Sequence, residues 1–181
     1  MDGRSRYLAL CAGILGVQLA WAQEPSAPKP GPEHKRLGYF VGNWTTEGEM
    51  KPGDMGPGGT MSSTEKCEWF DGGFSVVCHS QGQTPMGPGK SIGILSYSPE
   101  EKAYTYYGVD SSGMTMTTVP HGTVKGDTWT YDDESMMGGK KVKSRVTLKE
   151  LSPTVYTFKM ETLGADGKWT SVMESKATKT K

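Results

Sequence analysis

Few residues in this chain stand in a spacing that does chemistry. Cys67 and Cys78 form the best pair. Between them runs Glu-Trp-Phe-Asp-Gly-Gly-Phe-Ser-Val-Val, which reads as two strands turning at Gly72-Gly73. In that register 67 lies opposite 78, 69 opposite 76 and 70 opposite 75. Both sulfurs then leave one face of neighbouring strands, with Cα atoms ~5.5 Å apart or less, within disulfide range. The alternative is two free, buried thiols. No Cys-x-x-Cys is present, so a disulfide here staples a hairpin and does no redox work.

The other chemical signals are weaker. Met114-x-Met116 puts two thioethers on one strand face near His121. Thioethers are soft donors suited to Cu(I), but no thiolate or second Met-x-Met joins them, so the pair reads as pocket lining. His34, His79 and His121 are nowhere spaced as metal ligands on one helix or strand. Gly89-Lys90-Ser91-Ile92-Gly93 has the letters of a nucleophile elbow, yet a strand follows where that elbow needs a helix. The same Gly-Lys-Ser lacks the first glycine of a phosphate loop. Asp132-Asp133-Glu134 reads as a solvated turn at a strand end, not a calcium loop. Lys140, Lys141, Lys143 and Arg145 answer it as cross-strand ion-pair partners. The reading assigns no catalytic residue, no metal ligand and no cofactor.

Composition bounds the rest. The 181 residues carry 20 Lys plus Arg and 20 Asp plus Glu, for zero formal charge. That excludes nucleic-acid binding by a polycationic surface. Only 34 % of the residues are hydrophobic, but 17 are aromatic and 11 are Met; the 25 Gly and 11 Pro suit short strands and turns. At the N-terminus Arg4 and Arg6 precede an uncharged apolar run over 7–17, and Ala20-Trp21-Ala22 fits the small-x-small rule for signal peptidase. Residues 1–22 therefore read as a secretory signal peptide cleaved after Ala22. The run is too short to span a bilayer, and Leu10 before Cys11 does not fit a lipid-attachment motif. The expectation is a periplasmic or secreted chain without membrane insertion. Residues 23–32, with Pro25, Pro28, Pro30 and Pro32, read as a Pro-rich linker, leaving one domain over 33–181.

A helical turn is expected over 34–41. Strands follow over 42–50, 60–70, 74–82, 90–97, 102–109, 113–124, 127–132, 140–149, 154–162 and 168–178, with Pro120 marking a bulge and 85–89 a long loop. Val142, Ser144, Val146 and Leu148 face one way and Lys141, Lys143, Arg145 and Thr147 the other. This period of two gives each sheet one dry face. Short connections make the neighbours antiparallel, and ten such strands avoid exposed edges by closing. The fold class is all-β: a closed antiparallel up-and-down β-barrel of about ten strands.

Two stretches carry a family resemblance. Gly42-Asn43-Trp44 resembles the Gly-x-Trp signature that opens lipocalin-like barrels. Residues 91–110, from Ser91-Ile92-Gly93 through Tyr97 and Lys102-Ala103-Tyr104 to Asp110, resemble the strand-turn-strand block of a bacterial exported family called domain of unknown function 1579 (DUF1579), as do Asp166-Gly167-Lys168-Trp169 and Glu174. The resemblance implies a lipocalin-like barrel over most of the chain, with nitrobindin-like and fatty-acid-binding barrels as fold relatives. It carries over no haem ligand, because the last histidine is His121 and nitrobindin-like proteins place theirs near the C-terminus.

Ten strands enclose more space than their own side chains fill. The functional expectation is a small, mostly apolar molecule bound inside, lined by Trp44, Trp69, Met114, Met116, Trp129 and Phe158. Arg145 or Glu174 would anchor a polar head where a bulge turns either one inward. The alternative is a non-catalytic envelope interaction protein acting through its surface, favoured by the Pro-rich spacer and the 85–89 loop. Oligomeric state is open.

Overall fold

The computed structural model describes residues 27–53, 56–113, 116, 118–137 and 139–181, with backbone alone at 137. The signal-peptide reading of residues 1–22 lies outside them, as do Met114 and part of the linker reading.

Alternating sequence becomes alternating burial. The strands are β1 (Gly42–Met50), β2 (Gly59–Trp69), β3 (Ser75–Thr84), β4 (Gly87–Ser98), β5 (Ala103–Asp110), β6 (His121–Lys125), β7 (Thr128–Met137), β8 (Lys140–Ser152), β9 (Val155–Leu163) and β10 (Trp169–Thr180). Each pairs antiparallel with its sequence neighbours, and β1 pairs with β10, so the sheet closes as an up-and-down barrel. The register Cys67↔Cys78 and Trp69↔Val76 is the expected one, and a disulfide joins the cysteines at a Cα separation of 4.0 Å.

Three local expectations are corrected. Residues 85–89 are not a long loop: Thr84 pairs with Gly87 across a two-residue turn. The Thr84 hydroxyl accepts the Met86 N–H and donates to the Gly87 carbonyl, and Gly87 supplies a φ of 116°. The sixth strand is shorter than expected. It begins at His121, directly after Pro120, which has no N–H to give a ladder. The acidic run Asp132–Glu134 is not a turn. It lies inside β7, where Glu134 pairs with Lys141 and Lys143 and Asp132 with Arg145, all on β8.

One end of the barrel is plugged. Helix α1 (Pro32–Arg36) and a 3₁₀ turn (Leu37–Tyr39) lie across it. Leu37 and Phe40 bury completely or nearly so against Trp44, Tyr104, Trp129 and Tyr156. The rings meet edge to face, with centroids 4.9 Å apart for Phe40–Trp129, 4.8 Å for Tyr104–Trp129 and 4.9 Å for Trp44–Tyr156. Polar groups at this end are matched. Trp44 Nε1 donates to the Phe40 carbonyl, Trp129 Nε1 donates to Glu150, and Glu150 also pairs with Arg36. The Tyr39 hydroxyl donates to the carbonyls of Ser152 and Val155. Burial beside Glu150 pushes that phenol up to about 12.

Candidate functional site

The pairing registers sort each strand into an axis-facing and an outward set. Trp44, Thr46, Gly48 and Met50 of β1 share the inner face with Met61, Ser63, Glu65 and Cys67 of β2 and with Val76, Cys78, Ser80 and Gly82 of β3. Around the wall follow Ser91, Gly93 and Leu95, then Tyr104, Tyr106 and Gly108, then Tyr131. Val146, Phe158, Met160 and Met173 complete the circle. The wall is therefore two-sided in character. From β1 to β4 its inner residues at mid-barrel are small and polar: Thr46, Ser63, Ser80, Gly82 and Ser91. From β8 to β10 they are mostly apolar, Val146, Phe158, Met160 and Met173, with Ser144 and Ser175 among them.

Small residues on one wall leave the axis unfilled. Above the sealed aromatic floor, Phe158, Met160, Ser80 and Glu65 are only half-buried though they point to the axis. Tyr106 keeps 36 % of its surface accessible in the same position. Its ring lies back against the wall over the paired Gly93 and Gly108; a Cβ on either glycine would come within 2.9 Å of it. The Tyr131 ring covers Gly122 in the same way, at 2.5 Å. These glycines let two phenols lie flat and keep the lumen open. Gly48 and Gly82 do something different. A Cβ there would sit 2.2 Å from a backbone oxygen of the neighbouring strand, so the chains approach closely at these barrel corners.

The polar groups in the lumen are unusual for what they lack. Glu65 makes no hydrogen bond and no ion pair among the described residues, and burial raises its carboxyl above the usual range. One of its oxygens lies within 4.8 Å of both disulfide sulfurs; being bonded to each other, those sulfurs offer no thiolate to a metal. Glu65 bears electrostatically on the Tyr106 and Tyr156 phenols, which burial and the carboxylate together raise. The Tyr131 hydroxyl is buried with no hydrogen-bond partner among the described residues, and it too is raised by burial.

The residues named from sequence fall in different places. Trp44 and Trp129 belong to the aromatic floor, and Phe158 faces the lumen. Trp69 has the inward parity but lies at the plugged end, 39 % exposed, beside Gly38. The Met116 sulfur accepts the Gly108 N–H at 3.1 Å, and Met114 lies outside the described residues. Arg145 is on the outer face, paired with Asp132 and stacked on Trp169 at 4.5 Å. Glu174 is also outside, accepting from Ser171; the bulge between Ser171 and Met173 leaves it there. Strand parity thus puts neither charge in the lumen, and Glu65 is the charge that parity puts at mid-barrel. That signal was available, because Glu65 stands two residues from the inward Cys67.

The outer face has its own relief. Two open troughs of about 710 and 620 Å³ run over β1–β4 and are lined mostly by outward side chains, among them Thr45, Thr64, Gln81 and Lys90. Beside them Ile92, Ile94, Tyr107 and Val109 form an exposed apolar patch.

Residues 29–179 match the model of a family described as proteins of unknown function, DUF1579, and the chain belongs to that family. Among solved structures it is similar to Rv2717c from M. tuberculosis, with 11 % identity, a TM-score of 0.58, and cover of 83 % of this chain and 99 % of that one. It is also similar to the S-type phycobiliprotein lyase CPES from Guillardia theta, with 11 % identity, a TM-score of 0.53, and cover of 82 % and 93 %. At these identities the likeness is one of fold. No curated protein matches the chain.

Proposed function

We propose that this protein binds a small molecule with an apolar body inside its barrel. The observation that carries the reading is the accessible lumen above a sealed floor, with Phe158, Met160 and Tyr106 facing it. A concave site with apolar walls and a few convergent polar groups is the usual form of a ligand pocket. Fold alone does not separate binding from catalysis, since one structural neighbour is named as a lyase. No constellation of nucleophile and base among the described residues argues for a reaction.

Titration with N-phenylnaphthylamine, a neutral dye that brightens in apolar surroundings, tests the reading. Saturable binding of one dye per barrel is expected, abolished by Ser80→Trp, which fills the lumen opposite Glu65. Binding that survives this substitution in a protein with an unchanged melt would place the dye elsewhere and refute the reading.

Export belongs to the same proposal. It is supported by the charged, apolar and Ala-x-Ala pattern of residues 1–22 and by the disulfide, a bond at home in oxidising compartments. N-terminal sequencing of the protein from a periplasmic fraction should begin at Gln23; an intact Met1 in that fraction contradicts cleavage. The exposed patch of Ile92, Ile94, Tyr107 and Val109 favours a second reading, in which the outer face docks a partner. Charged substitutions at Ile92 and Val109 that abolish a stoichiometric complex while leaving dye binding intact would support it.

A further inference from the structure

The charged groups that face or border the lumen have a hydrogen-bond or ion-pair partner except at one place among the described residues. Arg36 is taken by Glu150 at the plug. The Lys179 ammonium donates to the Tyr39 carbonyl at 3.1 Å and lies over the Trp44 ring at 4.7 Å. Asp133 accepts the Thr118 hydroxyl, and Asp110 accepts the Ser112 N–H at 2.7 Å. Glu65 alone among these groups has neither hydrogen bond nor ion pair among the described residues. It stands on β2, directly opposite Trp44 of the aromatic floor on β1 and Ser80 on β3.

A carboxylate held in a low-dielectric cavity without a partner is costly, and a cation placed against it removes most of that cost. The surroundings suit a cation in a second way. Glu65 bears electrostatically on Tyr106, which is 36 % exposed on the inner wall, and on Tyr156. The faces of such rings attract an ammonium group. The half-buried Phe158 and Met160 on the opposite wall offer contact to an apolar body. The Arg36 guanidinium at the plug is already paired with Glu150.

We infer that the lumen takes an organic cation, an ammonium or amidinium group on an apolar or aromatic body, with the Glu65 carboxylate as its counter-ion and the Trp44–Tyr156 floor beneath. The Tyr131 hydroxyl on the facing wall is buried and has no hydrogen-bond partner among the described residues. This deepens the proposed function and rests on it.

The test compares naphthylmethylamine, cationic at neutral pH, with neutral naphthylmethanol of nearly the same shape, each titrated into the full-length protein by calorimetry. The amine is expected to bind about tenfold tighter, the worth of one charge-assisted hydrogen bond. Glu65→Gln should bring the amine down to the alcohol and leave the alcohol unchanged; Glu65→Asp should restore part of the preference. Glu47→Gln, on the outer face of β1, should change neither. Equal binding of amine and alcohol to the native protein overturns the cation while leaving the lumen site standing. A preference that persists in Glu65→Gln, or a parallel loss of both probes, overturns the role of Glu65. Binding of neither probe overturns the lumen reading itself.

Discussion

Glu65 holds its proton more tightly in the folded chain than in the unfolded one, because burial penalises the charged form and no partner among the described residues offsets it. The sign of the pH dependence follows. The stability Glu65 contributes is fully present below the ordinary glutamate range and is lost as pH rises through its raised folded value. Glu65→Gln, neutral at every pH, should therefore raise the melting temperature of the unliganded protein at pH 8 and change it little at pH 4. An equal change at both pH values would contradict the assignment. Tyr131→Phe removes a buried hydroxyl that has no partner among the described residues. It should stabilise the protein by about 1 kcal/mol in urea denaturation; a loss of that size would mean the hydroxyl is satisfied in solution. At this scale the sequence was only half legible. The disulfide followed from the count between two cysteines. Glu65 follows from parity with the inward Cys67, whereas Arg145 and Glu174 do not, because their relation to a bulge decides which way they point and a bulge has no sharp sequence signature.

The ten strands follow the expected order, with β6 and β7 departing most from their expected bounds, because period two is strong where strands are long and connections are short. The misjudged places are those where one residue settles the matter. Pro85 reads as a loop former, yet it occupies the first position of a tight turn because Gly87 can take a positive φ. Pro120 reads as a bulge, yet its missing N–H ends pairing and leaves β6 five residues long. The run Asp132–Glu134 reads as a turn because of its charge, yet lysines and an arginine on β8 neutralise it within a strand. The plug was legible only as a helical turn. Its energetic part is larger than its length suggests: Phe40 is 5 % exposed and touches both Trp129 and Tyr156. Phe40→Ala should cost about 3–5 kcal/mol in urea unfolding. A cost under about 1 kcal/mol would show that the plug is not part of the cooperative core.

Across the whole molecule, one end of the tube is solid and the middle is not. The sealed end has large rings from four strands and the plug. The middle pairs an apolar wall with a wall of serine, threonine and glycine, and small side chains there cannot reach the axis. Closure of ten strands was foreseeable from alternation and short turns; the thin wall was not, since which of two faces turns inward is set by the barrel as a whole. The polarity of the chamber also departs from a purely apolar receptacle, because an unpaired carboxylate and buried phenols share it. The most direct measurement is a crystal structure of the protein soaked with naphthylmethylamine. Its ring should lie against Phe158 inside the barrel, with its nitrogen in hydrogen-bond reach of Glu65. Density for the amine confined to the outer troughs, with a lumen holding water alone, would contradict the account.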